Sequence, residues 1–281
     1  MIGITGASGK LGKATIHHLL RRVPPESVVA IVRDPGRLGA LAESGIHVRV
    51  ADYDDKASLA KALPSVKTLL QISATAPGEE GMLQEQAVVE AAVSNGVRRI
   101  LYTSSLLARP DARFMGTCQA AHTEAAIIKS GLEYTFFRNS LYLELIPELA
   151  GDADRTGVLQ YPAGDGKVSF VSRQDIAEAM AICLLQPISG RRVLEITGSQ
   201  AVGFAEVAAA MSSNRGVVFA DMDSNAYRAM IAERWIPDAV IDFLVSMAEA
   251  VRAGEFALVD GTLESLLGRP LVSLDDYLRM A

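Results

Sequence analysis

The sequence predicts an α/β fold: a Rossmann-type, doubly wound parallel sheet with a smaller, mostly helical C-terminal lobe. Three features of its 281 residues predict it. Short β-branched runs recur along the first half and are continuous rather than alternating, as strands covered on both faces are. Between them lie segments with apolar residues at helical spacing, for example Leu11, Ile16, Leu19 and Leu20. The first run feeds straight into a glycine-rich turn and then a helical segment. Repetition of strand, helix and strand implies right-handed crossovers and a parallel sheet.

In chain order, the first strand covers Ile2 to Thr5, and the helix after the glycine turn is over before Pro24-Pro25. The second strand, Val28 to Val32, is closed by Asp34-Pro35-Gly36. Further strands are expected at Val48 to Val50, Thr68 to Ile72, Ile100 to Thr103 and Tyr134 to Phe137, with Ser130-Gly131 stopping a helix that ends in Lys129. After Phe137 the rhythm changes to a short helix over Leu141 to Leu149, a Gly-rich stretch Ala163-Gly164-Asp165-Gly166, and a helix from Gln174 to Leu185. The remainder holds one clear strand, Val193 to Thr197, and helices over Phe204 to Met211, Ala226 to Ala232 and Ala239 to Val251. The expected division is a first domain over residues 1–185 and a smaller lobe over 186–281, with no long linker or low-complexity tract between them.

Composition narrows the function. Apolar residues make up 49% of the chain and charged residues 21%, which excludes a disordered chain. The net charge of −6 removes the broad positive footprint that nucleic-acid binding or docking on an anionic membrane requires. Cys118 and Cys183 are the only cysteines, too few for a disulfide framework or a zinc ribbon. His17, His18 and His47 form no metal-ligand spacing with carboxylates, so no metal is expected. No basic segment followed by an apolar one opens the chain, and no apolar stretch reaches the roughly 18 residues of a membrane span. A cytoplasmic protein, monomer or homodimer, is the expectation.

The turn reads Gly6-Ala7-Ser8-Gly9-Lys10-Leu11-Gly12, between a strand and a helix, which is the setting in which a glycine fingerprint carries meaning. Gly6 allows the tight turn, Gly9 lets backbone N–H groups approach a pyrophosphate, and Gly12 lets the helix pack closely. Ser8 and Lys10 add donors at the positive helix N-terminus. A phosphate loop of the nucleoside-triphosphatase type is excluded, because Ile4 and Leu11 stand where Gly and Ser or Thr are needed. Residues 1–185 therefore read as an NAD(P)-binding domain. About 20 residues past the last glycine, the residue that meets the adenosine ribose is Arg33. A guanidinium pairs with a 2′-phosphate, so NADP(H) is preferred and Arg37 would reinforce it, while Asp34 leaves NAD(H) open if its carboxylate faces the ribose instead.

None of the seven tyrosines is followed four residues later by Lys, so the proton relay of ordinary short-chain dehydrogenases is absent. Ser104 keeps the place of that relay's usual hydroxyl partner. The combination of Gly6 to Gly12, Ile31-Val32-Arg33-Asp34-Pro35, Ala51-Asp52-Tyr53, Tyr102-Thr103-Ser104, Thr123-Glu124 and Phe137-Arg138-Asn139-Ser140-Leu141-Tyr142 resembles atypical short-chain dehydrogenases of the NmrA-like group. Within it the chain is most similar to bacterial type 2 NAD(P)H:quinone oxidoreductases and triphenylmethane reductases. The resemblance implies an NADPH-dependent oxidoreductase that passes hydride directly to a quinone or similar conjugated electrophile. It also implies that Ser73, Ala74 and Thr75 line the ribose and nicotinamide, that Asn139 lies near the carboxamide, and that Tyr142 faces the acceptor. Residues 141–165 then contribute to the substrate pocket and 186–281 form a substrate-binding lobe, with Leu141, Leu145, Trp235 and Phe243 as apolar walls or core. One departure stands out: relatives place His three residues before the Thr-Glu pair, where this chain has Ala120, and its own His122 falls immediately before Thr123. Positions 120 and 122 of a helix point about 200° apart, so His122 is a candidate proton donor only in a shifted role. The group also contains non-catalytic NAD(P)-binding redox sensors, which is the alternative reading.

If Arg33 meets the 2′-phosphate, Arg33→Ala removes a charge-assisted contact of about 1.5–3 kcal/mol. The dissociation constant for NADPH then rises about tenfold to a hundredfold while that for NADH barely moves. Equal losses for both dinucleotides in a binding titration would remove Arg33 from the ribose site.

Overall fold

The computed structural model describes residues 1–188, 190–211 and 216–280. In chain order its elements begin with β1 (Ile2–Ile4), α1 (Lys10–Leu20), β2 (Val28–Val32), β3 (His47–Val50), α2 (Lys56–Ala62), β4 (Thr68–Gln71), α3 (Gly78–Ser94), β5 (Arg99–Ser105), α4 (Met115–Ser130) and β6 (Glu133–Asn139). There follow α5 (Ile146–Ala150), α6 (Ala153–Thr156), β7 (Val158–Tyr161), β8 (Lys167–Val168), α7 (Arg173–Leu185) and β9 (Arg191–Ile196). The rest comprises β10 (Val202–Gly203), α8 (Phe204–Met211), β11 (Val218–Asp221), α9 (Ser224–Ala232), α10 (Asp238–Arg252), α11 (Thr262–Leu267) and α12 (Leu274–Met280).

Seven strands form one sheet in the order β3-β2-β1-β4-β5-β6-β9. The pairs β3/β2, β2/β1, β1/β4 and β4/β5 are all parallel, with Ile4 opposite Ala30 on one side and Leu70 on the other. All six strand runs expected in the first half are present, and β2 is buried along its whole length, as its unbroken Val-Val-Ala-Ile-Val requires. The order reverses direction between β1 and β4, so the loops after those two strands diverge and leave a crevice at the carboxyl end of the sheet.

The chain divides into two compact units. The first is Met1–Ser105, Gln119–Arg138 and Arg173–Leu194, the second Leu106–Cys118, Asn139–Ser172 and Glu195–Ala281. This interleaving differs from the contiguous division expected at residue 185. Segments leave the sheet after β5 and again at the end of β6, and most of β9 returns to the first unit. In the first unit α1 buries Leu11, Ala14, Ile16 and Leu19 and packs on α7, with an Arg22–Glu178 ion pair at their rim.

The second unit has its own apolar core. It includes Phe114, Leu143, Tyr161, Phe170, Phe204, Val245 and Phe256, with Tyr161 stacked on Phe204. Two small sheets, β10/β8 antiparallel and β11/β7 parallel, serve as its frame. At the Gly-rich stretch, Gly164 N–H donates to Asp221, whose carboxylate also pairs with Arg252. A Cβ on Gly166 would lie 2.1 Å from the Val251 carbonyl oxygen, so that turn admits only glycine. No helix among the described residues is long and apolar enough to cross a membrane.

One contact fixes α1 against the sheet. A Cβ on Gly12 would stand 2.6 Å from Gly6 O and 2.8 Å from Ala7 Cα, both backbone atoms. Gly12→Ala is therefore expected to destabilise the fold by about 1–3 kcal/mol through overpacking, measured as a lowered denaturant midpoint at unchanged m-value. A midpoint equal to that of the parent would show that the turn can yield.

Candidate functional site

The loops after β1, β2, β3 and β4 line a single cavity of about 230 Å³. Each contributes for a local reason. After β1, Gly6 takes φ +59, and Gly9 N–H closes the turn on Gly6 O at 2.9 Å. Gly9 is then the N-cap of α1 with no side-chain cap, so the first-turn N–H groups of the helix are not met by any capping side chain. Such groups, at the positive end of the helix dipole, form a ready site for a pyrophosphate.

After β2, Arg33, Asp34 and Arg37 all line the cavity. The alternative left open by the sequence is narrowed by geometry. Asp34 caps the 3-10 helix Pro35–Glu43, its Oδ1 accepting from Gly36 N–H at 2.9 Å. One carboxylate oxygen is thus committed to the backbone, while the exposed Arg33 and Arg37 present two cations to the same space.

After β3, Ala51, Asp52 and Tyr53 line the cavity, and Gln84 reaches it from α3, where its amide nitrogen bridges both Asp54 oxygens at 3.0 and 3.1 Å. The Tyr53 hydroxyl donates to Ile72 O at 2.8 Å and lies 2.5 Å from Thr5 Oγ1. Burial pushes that hydroxyl above its ordinary pKa, so it stays protonated and acts as a strut. None of Asp52, Tyr53 and Gln84 was assigned a site role from sequence. For Asp52 and Tyr53 the signal was their position after a parallel strand, on the same edge as Gly6 and Arg33; Gln84, inside α3, carried none.

After β4, Ile72 to Thr75 form the remaining wall. Their backbone N–H groups are held from behind: Ile72 N–H by Thr5 Oγ1 at 3.1 Å, Ser73 N–H by Thr103 Oγ1 at 2.8 Å, and Ala74 N–H by Glu85 Oε1 at 2.8 Å.

Of the residues singled out in the sequence, Gly6, Ser8, Gly9, Arg33, Ser73, Ala74 and Thr75 therefore share one cavity. Lys10 is exposed at the start of α1, Leu11 is buried beneath it, and Gly12 serves helix packing. Asn139, Leu141 and Tyr142 belong to the second unit. Asn139 ends β6 with its side chain buried, and among the described residues neither its Nδ2 nor its Oδ1 has a hydrogen-bond partner. An amide left so costs about 1–3 kcal/mol, and a group of this kind calls for a ligand or another specific explanation. Tyr142 is half-buried and bridges Val171 through its backbone, and Leu141 sits in the core of its unit.

Of two proton-donor candidates, Ser104 is held by a partner and His122 lies on an exposed helix face. Ser104 is buried, and its hydroxyl donates to Glu124 Oε1 at 2.5 Å, while Arg138 grips the same carboxylate through Nε and Nη2 at 2.9 and 2.7 Å. His122 stands on the exposed face of α4, whereas Ala120, Thr123 and Glu124 are buried. Trp235 is not core: it is 96% exposed, in a left-handed turn between α9 and α10. No cluster of metal-ligating side chains is present among the described residues.

Comparison with known proteins adds to this geometry. A family model described as NAD(P)H-binding matches residues 6–187. Quinone oxidoreductase 2 of Escherichia coli (strain K12) is 35% identical over 277 residues, spanning 98% of this chain and 96% of that protein. The crystal structure of the Escherichia coli NADPH-dependent quinone oxidoreductase complexed with NADPH superposes with a TM-score of 0.93 at 34% identity, covering 100% of this chain and 99% of that one. Citrobacter sp. triphenylmethane reductase complexed with NADP(H) gives a TM-score of 0.92 at 30% identity, with 100% of each chain covered.

Gly9 has φ −74 and ψ 167, a conformation open to any residue, and its Cβ would meet only Gly6 O at 3.2 Å. Gly9→Val therefore alters the cavity surface more than the backbone. It is expected to abolish measurable dinucleotide binding while leaving the far-UV circular dichroism spectrum intact. Unchanged affinity would place the pyrophosphate elsewhere.

Proposed function

The chain belongs to the NAD(P)H-binding family and is an NAD(P)H-dependent oxidoreductase, and from that premise we propose that it prefers NADPH and delivers hydride to a quinone or a similar conjugated electrophile. The observation that carries the cofactor preference is the Asp34 carboxylate turned onto its own helix cap beside two arginines that line the cavity. An acidic group facing the ribose would repel a 2′-phosphate; here one Asp34 oxygen accepts from Gly36 N–H, and two arginines outweigh its single charge in the same cavity.

The cradle fits a dinucleotide. Backbone N–H groups at the start of α1 hold the pyrophosphate, with Ser8 beside them, and Arg33 and Arg37 receive the 2′-phosphate. Ser73, Ala74 and Thr75 form the wall along the ribose and nicotinamide. The unmet amide of Asn139 supplies a donor and an acceptor matched to a carboxamide. When bound, NADPH supplies the hydride.

The chain's own contribution to the chemistry is placement. With Ser104 committed to Glu124 and no Tyr-x-x-x-Lys pair, no strong proton relay supports reduction of a simple ketone to its basic alkoxide. A quinone needs none. Its reduced oxygen has a basicity near that of a tyrosine phenolate, about 10, so a weak donor, or solvent once hydride has moved, completes the reaction. Holding donor and acceptor in contact and keeping bulk water out are then the main sources of rate.

The expected result is loss of the reduced-nicotinamide absorbance when the pure protein meets NADPH and a quinone panel, with a higher kcat/KM for NADPH than for NADH. Tight dinucleotide binding without turnover across the panel is the behaviour of a redox sensor and would contradict the proposed acceptor class.

A further inference from the structure

Glu85 lies in the middle of α3 and is fully buried. A carboxylate out of water costs several kcal/mol unless its oxygens are met by donors. Here they are met four times, by Ala74 N–H and Gln119 Nε2 on Oε1, both at 2.8 Å, and by Tyr102 OH and Thr123 Oγ1 on Oε2, at 2.5 and 2.6 Å. The donors come from β5, from α4 and from the loop after β4. Glu85 also accepts through its backbone carbonyl from the buried Gln71 Nε2 at 3.0 Å. Burial, and next the adjoining carboxylate, hold the Tyr102 hydroxyl well above its ordinary pKa, so it remains a donor.

Only one of these four bonds reaches the cavity wall, and it falls on the peptide of Ala74. Together with Thr5 on Ile72 and Thr103 on Ser73, it gives three successive peptide N–H groups side-chain acceptors behind the wall. The approach of α3 to this loop leaves no slack. A Cβ on Gly81, one turn before Glu85, would lie 2.1 Å from Ala76 O and 2.4 Å from Gln119 Nε2.

We infer that Glu85 is a positioning residue for the dinucleotide: its buried carboxylate fixes the Ser73–Thr75 wall in the binding-competent shape before the ligand arrives. The inference rests on the dinucleotide reading above. A preorganised wall spares binding the entropy of ordering it, and charge-assisted bonds are about twice as strong as neutral ones. Glu85→Gln keeps the size and one acceptor oxygen but puts an NH₂ donor where two hydroxyl donors already point. Glu85→Ala removes every acceptor.

The test is a titration of wild type, Glu85→Gln and Glu85→Ala with NADPH, alongside kcat, both KM values and the melting temperature. Glu85→Gln is expected to raise the dissociation constant and KM for NADPH about tenfold, the effect of the charge-assisted bond on Ala74 N–H becoming a neutral one. Its kcat at saturating NADPH and its quinone KM stay within about twofold, an interaction lost equally from ground and transition states. Glu85→Ala is expected to lose more affinity in the same pattern. A purely structural role would lower the melting temperature and leave the affinity of the folded fraction untouched, which overturns the inference. Hydrogen exchange in the wild type needs no variant to fold. The Ile72, Ser73 and Ala74 amides are expected to be protected without ligand, and protection that appears only on adding NADPH would equally overturn it. Should the wild type bind no NADPH, the dinucleotide reading fails as well. If it binds and Glu85→Gln binds as tightly, only the role of Glu85 fails.

Discussion

The close approach of α1 to the turn after β1 is the constraint on which the site depends. Gly12 sits where a Cβ would fall 2.6 Å from the Gly6 carbonyl oxygen, and Gly6 itself adopts φ +59. With glycine at both places, the first turn of α1 is brought to the carboxyl edge of β1, beside the point where strand order reverses. A helix N-terminus and a diverging pair of strand ends then coincide, and an anion with a nucleoside on each side has somewhere to lie. Arg33 and the loop after β4 are useful because of that coincidence. Each follows a strand paired in parallel register with β1, so each emerges on the same edge.

The wall of this cavity is mostly backbone, which poses a problem of its own. Backbone N–H groups at a loop need acceptors, and water or the ligand would otherwise supply them. Thr5, Thr103 and Glu85 do so from within the protein, and Tyr53 ties the Ile72 carbonyl. The polar side chains near β4 and β5 thereby act as scaffolding. The same economy applies to Ser104, whose hydroxyl is held by the Glu124–Arg138 pair. In both places a polar side chain is spent on holding structure rather than left free.

Much of the fold was legible because it rests on local rules. Continuous β-branched runs such as Val28–Val32 mark buried parallel strands, and the glycine turn marks where α1 starts. What escaped reading depends on contacts distant in sequence. β7, β8, β10 and β11 have two to four residues each and owe their pairing to tertiary packing. The interleaved units reflect excursions after β5 and β6, of which only the second is marked in the sequence, by the change of rhythm after Phe137. Of the cavity residues, the glycines and Arg33 follow a spacing rule and were visible, whereas Gln84 and Glu85 lie inside an ordinary amphipathic helix. A glutamate there reads as a solvated charge, and only its four partners, from as far along the chain as Thr123, reveal it as buried. That Asp34 caps Gly36 while lining the cavity beside Arg33 and Arg37 is likewise a three-dimensional fact that spacing does not carry.

The central claim, that this cavity reads the 2′-phosphate of NADPH through Arg33, is tested most directly by following the phosphorus NMR resonance of that phosphate with pH in the complex. Pairing with a guanidinium favours the dianion, so the bound phosphate is expected to titrate at a lower pH than free NADPH. A bound phosphate that titrates as in free solution would show that it projects into water, and would contradict the assignment.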